Sequence, residues 1–258
     1  MVKLVCYNIE YCEGMEGLWY QYFKLWRTLF PPKKLDQKIM LELKKLSLDI
    51  LALVEVDTGS FRAKKDEVVY FEKKLHLNDF VEKIKYPFQG WLKLFHFVPI
   101  MHKQANAIIS KYKISQVRYH LFHEGTKRVV IESTIHCPQK ITLLLAHLAL
   151  GGKARYKQLE ELINIVNSIK NPIILMGDFN TFHGAHEIQR LLRKTHLKDK
   201  AYLDKDSRGW TEPTWHPLRR LDYVLVSKQI KVSKYKVLKF PFSDHMPLYV
   251  EFEVKKIN

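Results

Sequence analysis

Cysteine is scarce in this sequence, and the few cysteines have no recognisable spacing. Only Cys6, Cys12 and Cys137 occur among 258 residues. Three scattered cysteines do not make the dense disulfide framework of small secreted domains, and they lack the paired spacing of a zinc site. The start, Met1-Val2-Lys3, leads directly into an apolar strand and lacks the hydrophobic segment and cleavage site of a signal peptide. We therefore expect a reduced intracellular protein with a cytoplasmic location.

Long apolar runs and low-complexity stretches are also absent. No uninterrupted hydrophobic segment approaches the ~20 residues that cross a bilayer as a helix. The sequence has no Pro/Gly/Ser-rich linker and no internal repeat that would mark a domain boundary. A chain of 258 residues is long enough to bury a sizeable core. We therefore expect residues 1–258 to form a single domain.

Acidic residues are outnumbered by basic ones. The sequence has 43 Lys+Arg against 27 Asp+Glu, which gives a formal net charge of +16. Such a surplus attracts polyanions and hastens their capture. A lysine-rich surface that serves solubility explains the excess equally well, because the charge is spread along the chain and marks no basic arm. Nucleic acid is the partner we expect, an anionic membrane surface is the alternative, and nothing implies an obligate protein partner.

Polar residues stand where apolar runs stop. The run at 172–176 is followed by Asp178 and Asn180, and the period of two in a strand places both on the same side of the chain. Asp222 opens a second apolar run, and Asp244-His245 precedes a third. A carboxylate beside an imidazole fixes its tautomer and raises its basicity, so Asp222 or Asp244 could orient His245. Three acidic strand ends in the last third of the chain could thus share one edge.

Hydrophobic periodicity predicts a chain richer in strands than in helices. In the predicted helix at 155–169, Leu159, Leu162, Ile163 and Val166 form one apolar face, which is typical of a helix on the outside of a sheet. The strands come partly in runs, which argues against a doubly wound parallel sheet and for two packed sheets with helices outside. Strands are predicted at 2–8, 49–55, 105–110, 128–136, 141–148, 172–177, 221–226 and 247–254, and helices at about 35–47, 65–76, 155–169 and 184–194.

Two aromatic segments, 18–30 and 86–101, adjoin predicted strands. The first places Trp19, Phe23, Trp26 and Phe30 at helical spacing, with basic residues on its flanks. The two segments could pack on each other as a satellite core, stack on the bases of a nucleic acid, or insert among lipid tails.

Seven short motifs, taken in order, resemble those of the metal-dependent endonuclease/exonuclease/phosphatase superfamily over roughly residues 2 to 254. They are Leu4-Val5-Cys6-Tyr7-Asn8-Ile9, Asp49-Ile50-Leu51-Ala52-Leu53-Val54-Glu55-Val56-Asp57, Asn106-Ala107-Ile108-Ile109-Ser110, Leu143-Leu144-Leu145-Ala146-His147-Leu148, Gly177-Asp178-Phe179-Asn180, Leu221-Asp222-Tyr223 and Ser243-Asp244-His245. The resemblance implies a four-layer α/β/β/α sandwich of two packed mixed sheets, with the active site where loops from both sheets meet.

The same resemblance implies residues for phosphodiester hydrolysis, which needs a sink for charge, an oriented water and a group that stabilises the leaving oxygen. Glu55 is expected to bind Mg²⁺ or Mn²⁺, which favour carboxylate oxygens, with Asp244 completing the metal shell and Glu10 as a second candidate ligand two residues beyond Asn8. In the expected catalytic set, Asp178 is the general base or positions the water, and Asn180 donates from its side-chain amide. Protonated His147 and His245 donate to the phosphate. Asp222 orients His245, and Asn8 lies at the tip of the first strand. Substrate contacts are expected from Asn106, Arg128 and Arg155, with Gln158 beside Arg155.

Departures from subfamily patterns bear on the substrate. The segments Val54-Glu55-Val56-Asp57 and His147-Leu148-Ala149-Leu150 differ from those of the family's abasic-site nucleases. Inositol-polyphosphate phosphatases have another signature at the place where this sequence has Arg219-Arg220-Leu221-Asp222. A histidine at the position of His147 resembles the deoxyribonuclease and sphingomyelinase branches. We therefore expect a divalent-metal-dependent phosphodiesterase, foremost a nuclease acting on DNA or RNA. The alternatives are a phospholipid or sphingomyelin-type phosphodiesterase at a membrane surface and a catalytically idle binding protein.

Overall fold

The computed structural model describes residues 1–14, 31–32, 34–63, 65–85, 102–206 and 208–255. The aromatic segments 18–30 and 86–101 lie outside the described residues, so the three interpretations of these segments stay open. Within the described ranges, no helix is both long enough and apolar enough to cross a membrane.

The described strands form two six-stranded mixed sheets. The first sheet has the order β11-β12-β1-β2-β4-β3, with β1 at Val2–Asn8, β2 at Ile50–Asp57, β3 at Asp79–Ile84, β4 at Gln104–Ser110, β11 at Ile230–Val237 and β12 at Leu248–Val254. The second has the order β5-β6-β7-β8-β10-β9, with β5 at Ile114–Leu121, β6 at Val129–Cys137, β7 at Gln139–His147, β8 at Ile173–Asp178, β9 at Lys198–Asp199 and β10 at Asp222–Val226.

Alternation along each strand divides the side chains between two layers of core. In β1, Leu4 and Cys6 belong to the core between the sheets, whereas Val5 and Tyr7 belong to the core beneath the helices of the first sheet. Helices α1 (Leu35–Lys45) and α2 (Glu67–Leu75) cover that outer face. Helices α3 (Gly152–Ser168) and α4 (Gln189–Thr195) cover the outer face of the second sheet. The predicted α/β/β/α sandwich is confirmed.

Sequence periodicity found the buried strands and missed the exposed ones. All eight predicted strands exist, and their boundaries differ from the prediction by at most two residues. Strands β3, β5, β9 and β11 were not predicted, because β5 is largely exposed, β3 and β11 are partly so, and β9 is only two residues long. The predicted helix at 184–194 is a 3₁₀ turn at Ala185–Ile188 followed by α4.

The strand ends that carry the polar motifs meet at one edge of the sandwich. In the second sheet, His147 lies beside Asp178 in the parallel pair β7 and β8, and Asp222 faces Asp178 in the antiparallel pair β10 and β8. In the first sheet, Asn8 ends β1 and hydrogen-bonds across to Asp178. The two sheets therefore bring their motif residues together.

Candidate active site

Asp178 occupies the centre of the cluster and is almost completely buried at the end of β8. Its Oδ2 accepts a hydrogen bond from Asn8 Nδ2 at 3.1 Å and lies 3.3 Å from His147 Nε2 and 3.9 Å from His245 Nε2. Its Oδ1 accepts from the backbone N–H of Asn180 at 2.9 Å. Burial alone would raise the pKa of Asp178, but His245 and the neighbouring His147 hold that pKa well below its usual value.

His245 is paired with a buried carboxylate. Its Nδ1 lies 2.7 Å from Asp222 Oδ2, and its Nε2 lies 3.9 Å from both Asp178 Oδ2 and Asp244 Oδ1. Burial alone would lower the pKa of His245, but the charges of Asp222, Asp244 and Asp178 outweigh it and raise the pKa well above its usual value. The imidazole is therefore a cationic donor whose orientation Asp222 fixes.

Glu55 projects from a bulge in β2. The pairing of β2 with β4 shifts register between Leu53 and Val56, and Glu55 has a φ of 59°. Its backbone N–H donates to Asn106 Oδ1 at 3.2 Å. A bulge re-aims one side chain relative to its strand, and Asn106 holds this one in place. The structure thus places Asn106 beside the bulge that carries Glu55. Sequence analysis predicted that Asn106 would contact the substrate.

Two lysines that sequence analysis missed flank Glu55. Lys85 Nζ lies 2.7 Å from Glu55 Oε1 and donates to the hydroxyl of Tyr11. Lys127 Nζ lies 3.7 Å from the same oxygen and hydrogen-bonds His147 Nε2. Burial opposes ionisation of Glu55, yet the two ammonium groups hold its pKa well below the usual value. Lys85 follows the end of β3 and Lys127 precedes β6, and neither position carries a motif.

The protonation state expected for His147 is wrong. Burial and the neighbouring charge of Lys127 lower the pKa of His147 to about 4, so the imidazole is neutral at neutral pH. Its Nδ1 is buried, has no hydrogen-bond partner in the part of the chain that the structure describes, and lies 3.9 Å from Glu55 Oε1. The positive charge on this side of the site is carried by Lys127.

The carboxylates of this cluster fit a hard divalent cation. Among the described residues, Asp178, Asp222 and His245 form one group whose possible ligand atoms lie within 4.8 Å of one another. Within this group Asp222 and His245 already hydrogen-bond each other. Asp244 and Glu55 are further carboxylates beside the group, and Glu55 is paired with Lys85. Burial raises the pKa of Asp244 to about 6, and the charge of Glu55 adds to that rise. A bound cation would relieve this crowding of negative charge.

Two further residues predicted from the sequence, Arg155 and Gln158, hydrogen-bond the main chain. Arg155 is fully buried, and its NH1 donates to the carbonyls of Ala149 and Leu150, while Nε pairs with Glu187. Gln158 holds the same loop by accepting from the backbone N–H of Ala149. These contacts shape the loop that follows β7, and they commit most of the groups we expected to contact substrate.

Arg128 and Glu10 also differ from expectation. Arg128 Nε donates to the carbonyl of Phe122 at 2.6 Å and so closes the turn between β5 and β6. Glu10, predicted as a second metal ligand two residues beyond Asn8, does not continue the strand, because β1 ends at Asn8 and a 3₁₀ turn spans Glu10–Cys12. The backbone N–H of Glu10 donates a hydrogen bond to the side-chain oxygen of Asn8 at 3.1 Å.

The fold is a sandwich of two mixed sheets, and a cluster of acidic residues and histidines lies at the strand ends. Together these features indicate the class of protein. The chain belongs to the Endonuclease/Exonuclease/phosphatase family, whose model matches residues 14–245. Members of the family are hydrolases that act on phosphoester bonds, and they generally depend on a divalent metal.

Solved structures share the whole fold at low sequence identity. An endonuclease/exonuclease/phosphatase from Beutenbergia cavernae superposes with a TM-score of 0.75 at 16% identity, covering 98% of this chain and 72% of its own. The human Nocturnin catalytic domain, solved with a bound sulfate anion, superposes with a TM-score of 0.68 at 20% identity, covering 98% of this chain and 94% of its own. At such identities the likeness concerns the fold alone.

One curated relative matches part of the chain. The UPF0294 protein YE0917 from Yersinia enterocolitica is 27% identical over 158 residues, which are 60% of this chain and 51% of that protein. The matched region therefore spans about half the length of the relative.

Proposed function

We propose that this protein is a divalent-metal-dependent phosphodiesterase that cleaves nucleic acid. The observation that carries the proposal is the convergence of Asn8, His147 and His245 on one carboxylate oxygen of Asp178, with Glu55 beside them. A buried carboxylate surrounded by donors, next to further carboxylates, provides the charge sink, the water site and the proton donor that phosphodiester hydrolysis needs.

Asp178 and His245 divide the acid and base roles in this proposal. Because the pKa of Asp178 is held low, its carboxylate stays ionised and accepts a hydrogen bond from the attacking water. Because the pKa of His245 is raised, its imidazolium donates from Nε2 to a phosphate oxygen as negative charge develops. Asp222 keeps the proton of Nδ1 in place, so that Nε2 faces the reaction.

Electrostatic stabilisation on the opposite side comes from Lys127 and His147. The ammonium of Lys127 stands between Glu55 and His147, where it attracts a phosphate oxygen. If His147 Nε2 accepts from Lys127, the ring proton lies on Nδ1, which has no hydrogen-bond partner among the described residues and can donate to a substrate oxygen. The side-chain amide of Asn180 donates to the carbonyl of Leu148 at 2.8 Å, so we assign it the role of fixing the site loop.

Glu55 and Asp244 are the residues we assign to the metal, with Asp178 adjacent. Their carboxylates are hard oxygen donors of the kind that Mg²⁺ and Mn²⁺ prefer. A divalent cation held there would add positive charge close to the non-bridging oxygens of the phosphate. Lys85 and Lys127 keep Glu55 ionised, so its carboxylate would be available as an oxygen ligand.

Nucleic acid is the substrate that the net charge of +16 favours. We test the proposal with a panel of single- and double-stranded DNA, RNA, an abasic-site duplex, sphingomyelin and phosphoinositides, each with Mg²⁺, Mn²⁺ or EDTA. Cleavage of DNA or RNA should require the metal and should fall by orders of magnitude in Asp178→Asn. The matched control is Glu42→Gln, which neutralises a partly exposed carboxylate on α1 that pairs with Lys45.

Each other outcome of the panel points to a different conclusion. Hydrolysis confined to the lipids would replace the nuclease by a membrane-surface phosphodiesterase. Hydrolysis of no substrate, together with tight binding of one, would indicate a binding protein that keeps the fold. Full activity of Asp178→Asn on nucleic acid would contradict the assigned site.

A further inference from the structure

Helix α3 begins without a side-chain cap, directly after the loop that follows β7. Its N-cap residue is Gly151, which has no side chain to accept a hydrogen bond from the first turn. That turn carries no acidic residue and contains Lys153. Acidic residues are favoured at helix starts because the first N–H groups and the helix dipole attract negative charge. The start of α3 is therefore suited to an anion that comes from outside the chain.

Arg155 has one unpaired donor close to this helix start. Its side chain is fully buried, its Nε pairs with Glu187, and its NH1 donates to two carbonyls of the preceding loop. NH2 of the same guanidinium is also buried and has no hydrogen-bond partner among the described residues. Buried polar groups are nearly always hydrogen-bonded, so this N–H group marks a place for an acceptor. Phosphate oxygens are acceptors that a guanidinium binds well.

Gly152 leaves space beside this donor because it has no side chain. A Cβ on Gly152 would lie 3.7 Å from Arg155 NH2 and 3.6 Å from His183 Nε2. The space is therefore bordered by nitrogen atoms of two side chains, and we call it the α3 cleft. The side chain of His183 is exposed, so its ring can turn and admit an anion to the buried guanidinium.

The carboxylate that contacts both side chains of the α3 cleft is already paired. Glu187 Oε2 accepts from Arg155 Nε at 2.7 Å, and its Oε1 accepts from the backbone N–H of His183 at 3.0 Å. These two bonds hold the guanidinium and the histidine segment together at the start of α3. The carboxylate thus orients Arg155 and leaves NH2 to another acceptor.

The α3 cleft is joined to the catalytic residues by a short loop. Four residues separate His147 from the first residue of α3. The backbone N–H of Leu148 donates to the carbonyl of Asp178 at 2.9 Å, and the side-chain amide of Asn180 donates to the carbonyl of Leu148 at 2.8 Å. His183 lies three residues after Asn180 on the other segment that carries the site. Both walls of the cleft therefore continue directly from catalytic segments.

We propose that the α3 cleft is a second phosphate-binding subsite, which holds a phosphate of the substrate strand other than the one that is cleaved. That phosphate accepts hydrogen bonds from Arg155 NH2 and from the N–H groups of the first turn of α3, with His183 beside it. The inference rests on the proposed nuclease function and adds how the strand is positioned. Contacts to a neighbouring phosphate fix the register of a strand without reading its sequence.

Binding of a single strand to an inactive variant tests the subsite without relying on turnover. In Asp178→Asn, we measure the affinity for an oligothymidylate over a series of salt concentrations. Adding Gly152→Ala fills the cleft with a methyl group at ordinary contact distances, so the fold should be kept. The affinity should fall about tenfold, as expected for one hydrogen-bonded charged group. The slope of log affinity against log salt should shrink by about 0.7, the share of one phosphate in a single strand.

Two further variants keep the result interpretable. Gly152→Asp places a carboxylate in the α3 cleft and should weaken strand binding more than Gly152→Ala, because its charge repels phosphate. Gly151→Ala adds the same methyl group one residue earlier, where no atom of the described residues lies within 4 Å, and should leave the affinity and the salt slope unchanged. Thermal melts of all variants check that the fold is kept.

Strands with different ends identify which phosphate binds. We compare oligothymidylates that end in a 5′-hydroxyl, a 5′-phosphate or a 3′-phosphate. An equal loss of affinity for all three in Gly152→Ala would assign the α3 cleft to an internal phosphate. A loss confined to one phosphorylated strand would assign it to that terminal phosphate.

The outcomes separate this inference from the proposed function. Unchanged affinity in both Gly152 variants, or a loss of affinity at an unchanged salt slope, would overturn the subsite even if the unmutated protein cleaves nucleic acid. Failure of the unmutated protein to cleave any strand would overturn the nuclease itself. In that case, melts in inorganic phosphate and in chloride at equal ionic strength still test the cleft. Phosphate should stabilise Gly151→Ala more than Gly152→Asp, and an equal shift would overturn the subsite.

Discussion

Buried charged side chains in the site lie next to groups of opposite charge. Glu55 faces two ammonium groups, and His245 faces Asp222. Removing one partner of a buried pair leaves the other charge uncompensated at a cost of roughly 3–5 kcal/mol. Substitutions at these residues therefore act on stability as well as on chemistry, and activity must be compared with a melt of the same variant.

The first prediction concerns Glu55. Glu55→Gln removes the charge at nearly constant shape, so turnover should fall by orders of magnitude and the Mg²⁺ concentration for half-maximal rate should rise. Rates measured across a Mg²⁺ titration, with Glu42→Gln as the control, test this. An unchanged rate at an unchanged metal requirement would show that Glu55 is not a ligand.

The second prediction concerns the pairing of Asp222 with His245. If the carboxylate acts by orienting the imidazole, Asp222→Asn combined with His245→Ala should be little slower than His245→Ala alone. Values of kcat/KM for both single variants and the double variant decide the matter. Penalties that multiply would mean that the two residues act independently, despite the 2.7 Å between them.

At the scale of elements, the pairing of β8 with β7 depends on Gly177. This residue has a φ of +132°, and a Cβ at its position would lie 1.9 Å from the carbonyl oxygen of Ala146. Only glycine fits a backbone that approaches its neighbour so closely. The conformation immediately precedes Asp178 and therefore helps to place its carboxylate.

Gly177→Ala should destabilise the protein by about 3 kcal/mol or more, since steric overlap and backbone strain add. Gly151→Ala is the matched control, because no atom of the described residues lies within 4 Å of a Cβ there, and it should change the free energy of unfolding by about 1 kcal/mol or less. Denaturant unfolding of both variants tests this. Equal stabilities would mean that β7 and β8 can separate without cost.

Helix α2 begins with a buried acid that couples stability to pH. Glu67 Oε2 accepts from the backbone N–H of Asp57 at 2.8 Å, and burial raises the pKa of Glu67 from 4.5 to about 7. The folded protein therefore holds this proton where the unfolded chain has lost it. The stabilisation is present below about pH 4.5 and is lost as the pH rises through about 7.

Glu67→Gln should remove this dependence. The amide oxygen can keep the hydrogen bond from Asp57, and the variant should be more stable than the parent above pH 7 by up to about 3 kcal/mol, at about 1.4 kcal/mol per pKa unit. The difference between the two unfolding free energies should shrink toward pH 4.5. A constant difference across this range would show that Glu67 titrates normally.

At the scale of the whole molecule, both sheets depend on one shared core. Side chains from β1, β2 and β12 pack against side chains from β6, β7, β8 and β10 in the layer between the sheets. Neither sheet can keep its inner face buried without the other. We therefore predict a single cooperative unfolding transition, with tryptophan fluorescence and far-ultraviolet circular dichroism coinciding. Two separated transitions would contradict the single domain expected for residues 1–258.

Much of the fold and part of the site could be predicted from local sequence, for a physical reason. Buried strands such as β8 are continuous apolar runs, and α3 repeats its apolar residues at helical spacing, so each is visible without knowledge of its neighbours. The motif residues Asp178, Asp222 and His245 sit at the ends of such strands, and the superfamily resemblance identified their order along the chain. Exposed strands such as β5 carry no such signal.

Which charges meet, and in which protonation state, depends on contacts that form when the chain folds. Lys85 and Lys127 come from separate parts of the chain, and folding brings their ammonium groups to Glu55. The proximity of Lys127, together with burial, makes His147 neutral, where the sequence suggested a cation. Local patterns record which residues are apolar and where strands end, whereas pKa values depend on distances between groups that are far apart in sequence. The apolar patterns of the sequence therefore predicted the architecture and named the residues of the candidate site, and the packing of the two sheets sets the electrostatics of that site.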